Sequence, residues 1–256
     1  MRGGSITVNR HDNHFYEDRL VAFIDILGFA KLVQSSATAD ADQDKVRRLI
    51  AVCTVFDWFT TQMLDELIDS AFFSDTFVLS ATISQTLYLI RETGNLCRYL
   101  LLQGLPCRGA IALGLLHHRE RIIIGPALVD AYRAEQSVAI YPRIVVDDET
   151  LNNWIEECAS STVHADLRPL LKQDTDGQHY LDIFDPLWSN AFLPWTNTRF
   201  RDVVPTDPIE FLTAAFREVS ENLKANADDQ RVRDKYEWLA TKIQSYATAS
   251  GLELRS

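Results

Sequence analysis

The stretch VAFIDILGFAKLV (Val21–Val33) admits few structures. Six of its first seven residues are apolar, and a run this uniform reads as a strand covered on both faces. Gly28 follows at once, a residue permissive for a turn. The exception inside the run is Asp25, a carboxylate that loses much of its water there and needs a partner. The segment therefore demands an interior strand whose end carries a charged site.

Periodicity supplies what covers that strand. From about Asp44 to Ile68, the residues Val46, Leu49, Ile50, Cys53, Phe56, Phe59, Met63, Leu64 and Leu67 recur at helical spacing and predict a long amphipathic helix. SAFFSDTFVLSA reads as two short strands broken at Ser74–Asp75. Ser84–Gln103 reads as a second helix, ended by GLP (Gly104–Pro106). CRGAIALGLL is a strand, HHRE (His117–Glu120) a polar connection, and RIIIG the returning strand of a hairpin. Pro126 suits the first turn of a helix. PRIVVDDET gives one more strand, with Asp147 or Asp148 available to cap a helix carrying Trp154.

Beyond Ser160 the pattern weakens. HYLDIF reads as a strand and DPLWSNAFLPWTN as a loop. TDPIEFLTAAF opens a helix with Thr206 or Asp207 as N-cap and Pro208 in its first turn, and a second helix runs from about Asp228 to Thr248. Helices on a mixed or antiparallel sheet make an α+β layout. The expected organisation is an N-terminal arm (1–18), a main domain (19–158), a connecting region packed on it (159–205) and a helical extension (206–256).

Charge narrows the partners. With 25 basic and 36 acidic side chains, the net charge is -11. Phosphate backbones are held by Lys and Arg, so broad nucleic-acid binding is not expected. An anionic small molecule stays possible, because divalent metal on carboxylates can supply positive charge. The start, MRGGSITVNRHDNHFYEDR, has no apolar core of a secretory signal, and no run approaches the roughly 20 apolar residues of a membrane span. Cys53, Cys97, Cys107 and Cys158 form no CxxC pair and read as reduced, buried thiols. The expectation is a cytoplasmic protein bound to neither nucleic acid nor membrane.

Asp75, like Asp25, interrupts an apolar stretch, AFFSDTFVL. Two carboxylates on strand ends of one sheet can face each other, and bare like charges push one pKa upward. Mg²⁺ or Mn²⁺ between them removes the conflict, since hard cations take oxygen ligands and share them with substrate phosphates. Two such ions can flank a phosphoryl centre. The turn Leu27-Gly28-Phe29-Ala30, if it opens a helix, offers backbone N–H groups to a triphosphate.

These residues resemble motifs of class III nucleotidyl cyclases. FIDILGF is similar to the first metal motif of that family and SDTFVLS to the second. RGAIALG resembles its Arg-x-Gly-Ile-x-x-Gly strand, with Arg108, Ile111 and Gly114 in register. GPALVDAYRAE resembles its Gly-x-x-Val-Asn-x-Ala-x-Arg-x-Glu helix, with Gly125, Ala131, Arg133 and Glu135 in register. The four motifs occur in the family's order over about residues 20–147. The resemblance implies a ferredoxin-like catalytic domain and a homodimer with sites at the interface. Asp25, Asp75 and the backbone carbonyl of Ile26 would hold two Mn²⁺ or Mg²⁺ ions. Arg133 of the other chain would steady charge developing on the phosphates, a task suited to a planar, permanently charged fork.

Three positions depart from the purine cyclases of the family. The base-reading Lys corresponds to Ala71, the base-reading Asp to Ile122, and the ribose-orienting Asn to Val129. A pocket without polar readers discriminates poorly among purines. VAFIDILGF, SDTFVLS and above all IGPALVDAYRAEQSVAIYPRIVVDD resemble the pyrimidine cyclases of the bacterial Pycsar anti-phage systems. That resemblance implies conversion of UTP to cyclic UMP, or of CTP to cyclic CMP, and a separate effector reached through the cyclic nucleotide rather than by direct binding. Phe72, Phe73 and Ile122 would narrow the pocket toward a smaller base. Tyr141-Pro142-Arg143 reads either as part of this signature or as a strand entry with Arg143 as a surface charge. His117–His118 reads as a solvated turn, and DDQRVRDKYEW as a solvated helix face. The alternatives are a degenerate, non-catalytic nucleotide-binding module and a purine cyclase with a rearranged pocket.

Overall fold

β1 (Glu17–Ile26) is the hub of the sheet, paired antiparallel with β3 (Thr76–Thr82) on one side and β4 (Cys107–Arg119) on the other. The computed structural model describes residues 15–37, 42–61, 68–119, 122–152, 170–189, 198–252 and 254. The sheet has eight strands. Seven follow the order β2-β3-β1-β4-β6-β8-β7, and β5 (Ile122–Ile124) pairs with the far end of β4. β2 (Asp69–Phe73) is one edge; β6 (Ile144–Val146), β8 (His179–Leu181) and β7 (Leu171–Gln173) extend the other. β4 and β6 run parallel, and the other pairs are antiparallel.

Both faces of β1 are covered, which explains its continuous apolar run. Leu20, Ala22, Ile24 and Ile26 point into the main core with α2 (Gln43–Thr61) and α3 (Thr86–Leu102). Val21 and Phe23, by the alternation of the pleat, face the opposite side beneath α4 (Pro126–Ser137). Asp25 continues that second row. α1 (Phe29–Ser36) follows β1 directly. A short α5 (Thr198–Val203) precedes α6 (Pro208–Ala225) and α7 (Gln230–Ala249), which pack on each other, and α6 also packs on α3. The chain is thus an α+β fold with a mainly antiparallel sheet and a C-terminal pair of helices.

Caps follow the local chemistry. The Asp207 side chain accepts from the amides of Ile209 and Glu210, with Pro208 at the first turn. Asp147 accepts from the Thr150 amide and starts the helix that begins at 148. Among the described residues no helix is long and apolar enough to cross a membrane.

Several expectations are corrected. α2 buries Ala51, Val52, Val55, Trp58 and Phe59, whereas Val46, Ile50 and Cys53 face solvent. The i, i+4, i+7, i+8 stripe starting at Ala51 meets the core, and it lies one position off the stripe that Ile50 would head. Cys53 is therefore an exposed free thiol; Cys97 and Cys107 are buried and free. His117 and His118 belong to β4, opposite Ile124 and Ile123, because the strand runs on to Arg119. His118 is buried. Trp188 is also buried, gives its Nε1–H to the Asp182 carbonyl at 2.7 Å and packs against Gly94 of α3. A Cβ at Gly94 would sit 2.0 Å from the Trp188 ring, so glycine there is a matter of space. Met63, Leu64, Leu67, Trp154, Cys158 and Trp195 lie outside the described residues.

Candidate active site

Strand register brings the site together. Asp25, next to last in β1, stands opposite Arg108 of β4 and Thr76 of β3. Arg108 Nε donates to Asp25 Oδ2 at 3.3 Å, and its Nη2 lies 2.7 Å from Oε1 of the fully buried Glu135 on α4. That 2.7 Å contact lacks hydrogen-bond alignment, so among the described residues Oε1 has no hydrogen-bond partner. Gln136 Nε2 donates to Glu135 Oε2 at 2.6 Å. Asp75 sits in the β2–β3 turn, after Ser74 at φ 57°, and its carbonyl accepts the Ile26 N–H at 2.9 Å. Ile26 is thereby bound to the second carboxylate-bearing residue through the main chain.

Burial first of all pushes the Asp25 carboxyl above its ordinary range. The hydrogen bond and charge of Arg108 oppose this, and the charge of Asp75 adds to it. Glu135 is likewise raised, by burial before anything else, with Arg108 opposing. Asp25 thus feels the charge of Asp75, and a carboxylate held above its usual pKa beside a second one is the conflict a cation relieves. Among the described residues no group of three or more His, Cys, Asp or Glu side chains gathers in a metal cluster. Two carboxylates suit Mg²⁺ or Mn²⁺, which take one or two from the protein and complete their shell with phosphate oxygens and water. The donor set fits.

The neighbouring turn is partly open. Gly28 has φ 77° and caps α1, a left-handed conformation that favours glycine. The first helical bond runs from the Leu32 amide to the Gly28 carbonyl, so the amides of Gly28, Phe29 and Ala30 precede the ladder. The Leu27 amide, expected to be free for phosphate, is instead spent on the Pro106 carbonyl at 2.9 Å.

Arg133 does not join Asp25 in its own chain. It lies two residues before Glu135 on α4, about 200° away around the helix. Glu135 aims into the sheet; Arg133 is exposed and its guanidinium makes no hydrogen bond or ion pair among the described residues. Val129 on the same helix and Ile122 on β5 are also exposed, at 44% and 58%. Ala71 packs partly buried beside Val78. Phe73 is 82% exposed at the β2–β3 turn, while Phe72 packs on Phe56 and Phe77.

Sequence reasoning placed Asp25, Asp75, Arg108 and Glu135 in motifs but missed that the last two join Asp25 in one charged row. It also missed Lys235 on α7, whose charge bears on Asp25, Glu135 and Arg108. The available signal was its spacing of three and four residues from Trp238 and Leu239, apolar positions that pack inward.

The sequence matches no protein-family model and none of the curated proteins. The fold is similar to that of the adenylyl cyclase CyaB from P. aeruginosa, with a TM-score of 0.43, 15% identity, and 65% of this chain covering 93% of that one. It is also similar to the monomeric guanylyl cyclase domain of the RhoGC fusion protein from the aquatic fungus Blastocladiella emersonii (0.39, 16%, 64% and 94%). A bacterial light-regulated adenylyl cyclase is matched at 0.37 and 16%, over 66% of this chain and 52% of that chain. At such identities the likeness concerns the path of the chain alone.

Proposed function

We propose that the chain is a nucleotidyl cyclase acting on a pyrimidine nucleoside triphosphate, UTP first and CTP as the alternative, with 3′,5′-cyclic UMP and pyrophosphate as products. The observation that carries this reading is the meeting of Asp25 and Asp75 at one end of the sheet, beside the open amides of α1. The apolar residues Ala71, Ile122 and Val129 stand where purine cyclases carry polar readers, which supports the pyrimidine reading over a purine one.

Asp25, Asp75 and the Ile26 carbonyl would hold two Mn²⁺ or Mg²⁺ ions, which supply Lewis acidity to the 3′-hydroxyl and the phosphates. The amides of Gly28, Phe29 and Ala30 orient the triphosphate. The 3′-hydroxyl gives up its proton to solvent water, and its oxygen bonds to the α-phosphorus. The bond from that phosphorus to the α,β-bridging oxygen breaks, and pyrophosphate leaves with the electron pair. Arg133 faces away from its own chain's carboxylates, so it serves a second copy of the chain, where it stabilises the charge on the phosphates. Exposed apolar residues around it, including Ile122, Ile124, Val129 and Tyr132, support a homodimer. On the resemblance to Pycsar cyclases, we read the cyclic nucleotide as a messenger in cytoplasmic anti-phage defence.

The test is incubation of purified protein with each of the four ribonucleoside triphosphates and Mn²⁺, products being identified by mass spectrometry. Cyclic UMP or cyclic CMP is expected; neither forming from any nucleotide would refute the reading. Asp75→Asn should abolish turnover with an unchanged melting temperature. Undiminished activity would remove Asp75 from the site.

A further inference from the structure

α7 turns a stripe toward the body of the protein: Lys235, Trp238, Leu239 and Lys242, at spacing i, i+3, i+4, i+7. Leu239 is buried in the main core. Trp238 stacks on Tyr141 with centroids 5.7 Å apart and planes at 10°, and gives its Nε1–H to Asp174 at 3.0 Å. Lys242 Nζ donates to the same carboxylate at 2.9 Å. Trp238 and Leu239 share a cavity wall with Pro106 and Cys107. Pro106 holds the Leu27 amide, and Cys107 precedes Arg108, the cross-strand partner of Asp25. One turn back along the stripe, Lys235 therefore falls at the Asp25 end of the sheet.

Lys235 is half-buried there, and among the described residues no hydrogen bond or ion pair engages its ammonium. It feels attraction from Asp25 and Glu135 and repulsion from Arg108 and Arg231. A partly desolvated cation without a direct partner is costly, and a polyanion would complete it. We propose that Lys235 is a phosphate-binding residue of the site, carried in by a helix beyond the main domain, and that it contacts the outer phosphates of the nucleotide; this rests on the nucleotidyl cyclase reading. A compact ammonium with three donors suits such a target. α7 is then a wall of the active site.

The probe is inorganic triphosphate with Mn²⁺, titrated calorimetrically into the full chain, alongside steady-state kinetics with the preferred nucleotide. Lys235→Met keeps the aliphatic stem and removes the charge. It should weaken triphosphate binding and raise KM about tenfold, the loss of one charge-assisted contact, with the melting temperature unchanged. Lys235→Arg should recover part of the affinity. Triphosphate affinity and KM both within about twofold of the parent would overturn the proposal. So would a lower melting temperature with unchanged affinity, which would make Lys235 a counter-ion of Asp25 and Glu135 only. If the parent forms no cyclic product yet binds triphosphate, and Lys235→Met binds it about tenfold more weakly, the cyclase reading falls while Lys235 stands as a phosphate ligand.

Discussion

His118 shows what one buried ring does to the whole stability curve. Its Nδ1 lies 2.8 Å from Ser80 Oγ. Burial first of all holds its pKa down to about 4 from 6.5, with Arg19 and His117 lowering it further and Asp69 opposing. In the unfolded chain the imidazole takes up a proton as pH falls through its ordinary value, whereas in the fold it stays neutral until about pH 4. Stability contributed by neutral His118 is therefore full above pH 6.5 and lost as pH falls toward 4. Urea unfolding between pH 7 and 5 should show a loss on the order of 2 kcal/mol, and His118→Gln should flatten that slope. An equal slope in the variant would assign the loss to other groups. The same residue marks a limit of sequence reading. Two adjacent histidines before a charged pair look like a turn, and only the length of β4 puts them in the sheet. Asp25 and Asp75 were legible because each breaks an apolar run. The Arg108 link was not, since it depends on pairing across a separation of 83 residues.

At the scale of elements, the β7–β8 hairpin is the clamp that docks α7. Asp174 receives Arg143 Nη1, Trp238 Nε1 and Lys242 Nζ, and Asp176 receives both Arg143 Nη1 and Nη2. Burial pushes Asp174 upward, yet the hydrogen bonds from Lys242, Thr175 and Trp238 hold it below the usual carboxylate range. Asp174→Asn removes the charge shared by Arg143 and Lys242, and the cost is expected on the order of 3 kcal/mol by chemical denaturation. Hydrogen exchange should speed first in α7; uniform speeding across the sheet would show that the clamp is not local. Read alone, Arg143 looked like an edge-strand surface charge, and its side chain is in fact fully buried between β6 and this hairpin. β7 and α5 went unseen because three and six residues are too few to show a period. The long helices α6 and α7 were legible from their apolar repeats and caps.

At the scale of the whole molecule, Glu135 points in and Arg133 points out on α4, and the dimer proposed above would divide the labour of the helix between two chains. Mixing Asp75→Asn protein with Arg133→Ala protein, each inactive alone, should restore about a quarter of parental activity, since half the dimers are mixed and each carries one intact site. No recovery after subunit exchange, verified by native mass spectrometry, would mean that Arg133 serves its own chain. The row of charges also has a history in time. Its members stand at positions 25, 75, 108, 135 and 235, and β1 cannot pair with β4, nor Asp25 feel the charge of Lys235, until those segments exist. A nascent chain emerging from the ribosome thus carries the first aspartate long before it gains its last cation. On the reading proposed above, a product that stops short of Lys235 would lack the contact this lysine makes with the phosphates.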